Sequence, residues 1–140
     1  MATSDTLIRS SDREGEALAP KQARLIRSAY KVMGEKGLRH LSLQDVADEA
    51  RVSKAILPYY FESKENLILL TMRWVLARVA GRIREATAEA PFAEEKVSAM
   101  IDAIFVSSES NRRFYLVFFD FLGYAARNDQ IGRASCRERV

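Results

Sequence analysis

From Leu25 to Tyr124 the apolar residues return every three or four positions, and no sustained alternation of apolar and polar residues competes with that period. That period lays an apolar stripe along one face of a helix, whereas a half-buried strand needs a period of two. The expected fold class is therefore all-α. Leu25, Ile26, Ala29, Val32 and Met33 mark a first helix over Pro20–Lys36, stopped at Gly37 as a glycine just past a helix end would stop it. Ser42 stands three residues before Asp45, a capping-box-like start, and Leu43, Val46, Ala47 and Ala50 give a short second helix over Leu43–Ala50. Ser53 offers the next N-cap, with Ile56, Leu57, Tyr60 and Phe61 as the apolar face of a third helix over about residues 54 to 60.

Ser63 opens the longest pattern, in which Leu67, Leu70, Met72, Trp74, Val75, Val79 and Ile83 recur to about residue 87. Pro91 marks a break and a permitted first-turn proline, followed by Val97, Met100, Ile101, Ile104 and Phe105 up to about residue 108. A sixth helix, about 111 to 128, carries Phe114, Tyr115, Val117, Phe118, Phe121, Leu122 and Tyr124.

Composition narrows the class further. The 140 residues are one domain's worth, two small ones at most, and 48% hydrophobic with 29% charged residues excludes a disordered chain or a collagen-like repeat. The longest apolar run, residues 114 to 119, is cut by Asp120, so no membrane span is expected. The first twenty residues hold Asp5, Arg9, Asp12, Arg13, Glu14 and Glu16 and no apolar stretch, which argues against a secretory signal and for a cytoplasmic setting. A single cysteine, Cys136, cannot form an internal disulfide.

The formal charge of +3 is too small to argue for a polyanionic partner, but its distribution is uneven. Residues 1 to 19 are acidic, polar and aperiodic and read as a flexible arm. Residues 20 to 66 carry nine Lys and Arg against six acids, whereas residues 67 to 130 balance. The rest of the excess lies in 131 to 140, IGRASCRERV, which has neither period. One reverse translation of that string, ATC GGA AGA GCG TCG TGT AGG GAA AGA GTG, coincides with a short-read sequencing adaptor. Residues 131 to 140 are accordingly expected to be a non-native tail, with no role for Cys136.

Catalysis is poorly supplied. His40 is the only histidine, no second His or native Cys stands at metal-ligand spacing, and there is no Gly-rich phosphate loop, so neither an enzyme nor a metal or cofactor site is expected. The informative feature is the pair of short helices around residues 43 to 62. Helices of that size bury too little to be stable alone and require the longer helices before and after them as a scaffold. The arrangement exposes the leading end of the third helix, with its free amides and the small or basic Ser53, Lys54 and Ala55, which is the helix-turn-helix way of presenting a helix to the major groove.

SLQDVADEARVSKAILPYYFESKENL, residues 42 to 67, resembles the DNA-binding motif of TetR-family transcriptional regulators, and residues 26 to 37 resemble their first helix. The resemblance covers roughly residues 21 to 81 and rests on VSK, the aromatic YF and SKENL at this spacing. It implies a DNA-binding domain over 20 to 81, followed over 82 to 130 by an incomplete C-terminal helical domain lacking the family's last helices. By position, Ser42 would bind a phosphate and Gln44 would lie near the backbone or a base edge. Lys54 and Ala55 would open the recognition helix beside Ser53, Tyr59 would reach the duplex, and Lys64 would hold a phosphate. Val46, Ala47, Val52, Leu57 and Phe61 would form the motif's core.

Two positions depart from the family pattern. Arg51 replaces the usual turn glycine, at a cost of order 1 kcal/mol if the position needs positive φ, which a contact from Arg51 to a phosphate would offset. Pro58 replaces an aromatic; inside a regular helix it would cost up to about 3 kcal/mol, so a tightened or kinked third helix is expected, with Tyr59 or Tyr60 taking over the lost contact. The aromatic stripe Phe114, Phe118, Phe121 and Tyr124 is a candidate effector pocket, although packing is the commoner use of such a stripe, and part of it should be exposed without the last helices. The resemblance implies a ligand-responsive repressor that binds an operator in double-stranded DNA as a homodimer and responds to a small-molecule effector. The competing reading is a helical protein-interaction module whose helix-turn-helix no longer binds DNA.

Overall fold

The computed structural model describes residues 19–105, 109–129, 131 and 133. Pro20 opens α1 (Pro20–Lys36), where its missing amide hydrogen has no partner to lose. The apolar stripe read from the sequence is its buried face: Leu25, Ile26, Ala29, Val32 and Met33. The helix ends at Gly37, which sits at φ 78°, ψ 161° and donates its amide to the Met33 carbonyl at 2.9 Å. A side chain is disfavoured in that conformation. One turn of 3-10 helix, Leu38–His40, then drives Leu38 and Leu41 into the core.

Helix α2 (Leu43–Ala50) begins as the sequence predicts, with Ser42 Oγ accepting the Asp45 amide at 3.0 Å. It ends at Arg51, whose φ of 55° and ψ of 49° are left-handed. The Val52 amide reaches back to the Ala47 carbonyl at 3.0 Å and the Arg51 amide to Asp48 at 3.1 Å. This is the hydrogen-bond pattern of a glycine-type helix stop, built here with arginine.

The third helix is shorter than its sequence suggests. Lys54–Ile56 is a 3-10 turn capped by Ser53, and only Leu57–Tyr60, α3, is α-helical. Proline explains the change. In an unbroken α-helix the Lys54 carbonyl would wait for the amide hydrogen that Pro58 lacks; instead it accepts from Leu57, one residue earlier. Pro58 thereby falls in the first turn of α3 rather than at an interior position, so the interior-proline penalty is avoided.

Ser63 caps α4 (Lys64–Ala88), the longest helix, accepting from the Asn66 amide at 3.0 Å while Asn66 Oδ1 accepts the Glu62 amide at 3.3 Å. Helices α5 (Ala93–Phe105) and α6 (Glu109–Arg127) complete an all-α architecture. Among the described residues no helix is long and apolar enough to cross a membrane.

Helix α1 is the centre of the packing, touching α2, α4, α6 and the 3-10 turn, while α5 lies along α4. Ile26, Met33, Leu38, Val46, Leu57, Leu67, Ile68 and Met72 are fully buried together. Each large aliphatic among them contributes roughly 1.5–3 kcal/mol of transfer free energy. Helix α6 approaches α1 closely at two glycines. Arg113 lies across Gly34, where an added Cβ would stand 2.6 Å from Arg113 Cγ, and Asp120 lies beside Gly37, 3.3 Å from where a Cβ would be. Asp120 Oδ2 accepts the Leu38 amide at 2.6 Å, a bond between residues 82 positions apart.

Two features of the C-terminal half are placed by the structure. Of the aromatic stripe, Phe121 is buried and Phe118 and Tyr124 pack against the core, whereas the neighbouring Leu116, Phe119 and Leu122 are the exposed apolar residues of α6. The helix is rotated so that Val117 and Phe121, four apart, enter the core, which leaves the opposite face outward. Ile131, in the segment read as a tail, is fully buried in the same core. The arm over 1 to 18 and the tail over 134 to 140, with Cys136, lie outside the described residues.

Arg51→Gly should raise the unfolding free energy by about 0.5–1 kcal/mol, the left-handed penalty less the entropy glycine loses on folding. A denaturant midpoint that does not rise would contradict the strained turn. Asp120→Ala should lower stability by about 1–3 kcal/mol, since it strips a charged acceptor from a part-buried amide, with Asp120→Asn losing less because it retains a carbonyl. Equal effects of the two substitutions in the same titration would deny the bond its role.

Candidate nucleic-acid interface

The surface formed by α2, the following turn and α3 is held from behind. Val46, Ala47, Ala50, Leu57 and Phe61 are buried, and Val52 is half-buried against the same core. Polar contacts from α1 fix the position of α2. Arg24 donates through Nη2 to the Ala50 carbonyl at the helix end, Lys31 meets Glu49 at 2.7 Å and Lys36 meets Asp45 at 2.7 Å. Lys36, and after it Ser42, hold the Asp45 carboxyl below the usual carboxylate range, while Asp45 and Glu49 raise Lys36 and Lys31 in turn. These groups are exposed, so the pairs orient more than they stabilise. They also consume acids: two of the α2 carboxylates are paired with α1 lysines, and Asp48 accepts from Gln44 Nε2 at 2.7 Å.

Most of the predicted contact residues are exposed, with differing freedom. Ser42, Gln44, Arg51, Ser53, Lys54, Ala55 and Tyr59 are exposed, Tyr59 at 87%. Ser42 and Ser53 spend their hydroxyls as acceptors for the Asp45 amide and, at 3.4 Å, the Ala55 amide, which leaves each hydroxyl hydrogen available to an outside acceptor. Among the described residues, Arg51, Lys54 and Lys64 have no carboxylate partner. Lys64 is half-buried at the first position of α4, where free amides and the helix dipole favour an anion.

Tyr60 stands apart from this set. Its ring is half-buried against the core and tilted toward Phe61 at 6.4 Å, and its carbonyl accepts from Gln22 Nε2 at 3.4 Å. The two tyrosines that follow Pro58 thus point differently, Tyr59 outward and Tyr60 inward.

Arg24, Lys31 and Lys36 are the residues that sequence reasoning left as undifferentiated positive charge. The signal was present in their placement: Arg24 and Lys31 are seven apart, two turns on one side of α1, and they meet Ala50 and Glu49 at the same end of α2.

The same segment matches known proteins. Residues 25–70 match the family model described as bacterial regulatory proteins, tetR family. The chain is 28% identical over 113 residues to the HTH-type transcriptional regulator BetI of Brucella canis, covering 81% of this chain and 57% of the relative. It is 28% identical over 109 residues to BetI of Rhizobium meliloti, with 78% and 54% covered. The chain thus spans little more than half the length of the curated relatives it matches. Among solved structures it resembles a transcriptional regulator from Rhodococcus sp. Rha1, with a TM-score of 0.74, 21% identity and coverage of 83% of this chain and 62% of that one. It also resembles the ketosteroid transcriptional regulator KstR2 of Mycobacterium tuberculosis, with a TM-score of 0.67, 21% identity and coverage of 88% and 63%. These structural likenesses bear on the fold, and the likeness to the tetR family of bacterial regulatory proteins rests on the matched segment, residues 25–70, which holds the helix-turn-helix.

Proposed function

We propose that this chain is the DNA-binding part of a transcriptional repressor that recognises a duplex operator. The observation that supports it most is the outward face at residues 51 to 59. Arg51, Lys54 and Tyr59 are exposed with no described carboxylate tied to either cation, while the acids of the neighbouring α2 are already engaged. A polyanion approaching this face meets positive charge and helix-end amides rather than repulsion. On this reading Ser42, Arg51 and Lys64 contact phosphates. Gln44, Ser53, Lys54 and Ala55 sit at the groove, and Tyr59 replaces the contact that Pro58 cannot make. Tyr60 supports the helix rather than the duplex.

The proposal extends to the whole protein by family resemblance. Two copies would place one reading head in each of two successive major grooves of a pseudo-palindromic site. Release would follow when a small molecule favours a conformation with a different head spacing. The α6 aromatics, Phe114 stacked on Phe118 at 5.4 Å with Phe121 and Tyr124 farther along, would form one wall of that effector's pocket. In this division residues 20 to 81 are the DNA-binding domain and 82 to 130 belong to the ligand-responsive one. A single head binds one half-site and forgoes the gain from simultaneous engagement of two.

The test is a salt titration with a duplex selected in vitro against the chain. Affinity should fall steeply as salt rises. Lys54→Ala and Lys64→Ala should each weaken binding several-fold and reduce the log–log slope by about 1, the loss of one phosphate contact apiece. Failure to select any duplex, or salt-independent affinity, would reject the proposal.

A further inference from the structure

Behind the reading head, three helices bring arginines together around two rings. Tyr30 of α1 meets Trp74 of α4 edge-on, centroids 6.0 Å apart, and the Arg78 guanidinium lies 4.7 Å above the Trp74 ring. Arg113 of α6 crosses Gly34, one turn beyond Tyr30 on α1, so closely that no side chain at position 34 would leave its stem in place. Arg82 follows Arg78 by four residues, on the same side of α4.

The charges acting on the Tyr30 hydroxyl are those of Arg113, Arg82 and Arg78; burial raises its pKa and the three arginines oppose that rise. Tyr30, Trp74, Arg78, Arg82 and Arg113 are all half-buried. Among the described residues, the Tyr30 hydroxyl has no hydrogen-bond acceptor, and neither Arg82 nor Arg113 has a hydrogen-bond or ion-pair partner.

A half-buried hydroxyl beside two half-buried guanidinium groups offers donors that one anion could accept together. Polar groups withdrawn from water are ordinarily paired, and guanidinium forks match the oxygens of a carboxylate or phosphate. The adjacent Trp74 and Tyr30 rings add apolar surface for the body that carries such a group.

DNA phosphates are a poor candidate, because the site is remote from the proposed DNA face. Trp74 lies ten residues, about 15 Å, and Arg82 eighteen residues, about 27 Å, along α4 from Lys64. We propose that Tyr30, Arg82 and Arg113, with Trp74 and Arg78 as a wall, form a binding site for a small organic carboxylate with an apolar body, at the junction of α1, α4 and α6.

The site is distinct from the aromatic stripe of α6 and does not depend on the DNA-binding reading, since its assay contains no DNA. Trp74 is the only tryptophan, so its fluorescence reports the site directly. Benzoate titrated into the full chain should change that emission saturably. Benzamide, of the same shape but uncharged, and inorganic phosphate, charged but without an apolar body, should each require at least tenfold higher concentration.

Arg82→Gln and Arg113→Gln should each weaken benzoate at least tenfold and Tyr30→Phe severalfold, while Arg39→Gln, on the exposed 3-10 turn, should leave it unchanged. Thermal midpoints and unliganded Trp74 emission check that the variants are folded. For a variant that does not fold, protection of Arg82 and Arg113 from phenylglyoxal by benzoate in the unaltered chain replaces it. Benzamide binding as well as benzoate, phosphate binding as well as benzoate, undiminished binding in folded arginine variants, or no saturable change up to millimolar benzoate would each overturn the proposal.

Discussion

The whole arrangement depends on how little helix the helix-turn-helix surface contains. Leu43–Ala50 and Leu57–Tyr60 are too short to persist by their own hydrogen bonds, so their geometry is borrowed from α1 and α4. The loan is mainly apolar: Val46, Ala47, Ala50 and Leu57 are buried against Ile26, Met33 and Leu67 in one core. Burial alone is poorly directional, and three polar contacts set the direction. Arg24 closes the carboxyl end of α2, while Lys31 and Lys36 engage acids along its length. What holds the surface in place also shapes its field, because each acid engaged by α1 is one less to repel an anion at the outward face.

Much of this was legible in the sequence, for a physical reason. Helical period and capping serines are local signals, and local signals survive without tertiary knowledge. Ser42, Ser53 and Ser63 each cap the helical segment they precede. The two departures from family pattern were legible as problems but only half legible as solutions. Arg51 takes the left-handed conformation that the turn demands. Pro58 is accommodated by changing the helix before it rather than by bending the helix around it: with the Lys54 carbonyl satisfied one residue early, the proline begins a helix instead of interrupting one. Periodicity cannot distinguish a 3-10 turn from an α turn over three residues, which is why residues 54 to 60 read as one element.

What sequence could not supply was the rotation of α6 and the partners of its charged residues. An aromatic-rich helix has more apolar surface than one face, so several stripes are consistent with the pattern. The choice falls to contacts at long separation. Val117 and Phe121 face inward because Arg113 and Asp120 are placed at Gly34 and Gly37, and nothing within α6 itself specifies those two glycines. The same limit applies to Tyr59 and Tyr60, adjacent and chemically identical, of which one is turned to solvent and the other to the core.

The two glycine contacts also join the C-terminal half of the molecule to the helix-turn-helix. Helix α6 grips α1 through Arg113 over Gly34, and the 3-10 turn after it through the Asp120 carboxylate on the Leu38 amide, both in the stretch that leads into α2. Close-packed interiors do not deform continuously; they shift between discrete arrangements. A displacement of α6 must therefore either break the Asp120 bond and the Gly34 contact or carry the end of α1 with it, and α1 carries α2 through Arg24, Lys31 and Lys36. An anion held between Tyr30, Arg82 and Arg113 would tighten that same linkage from behind, tying α1, α4 and α6 together at one point. Binding there would favour whichever arrangement keeps the three helices in contact, by as much as the ligand's affinity differs between arrangements and no more.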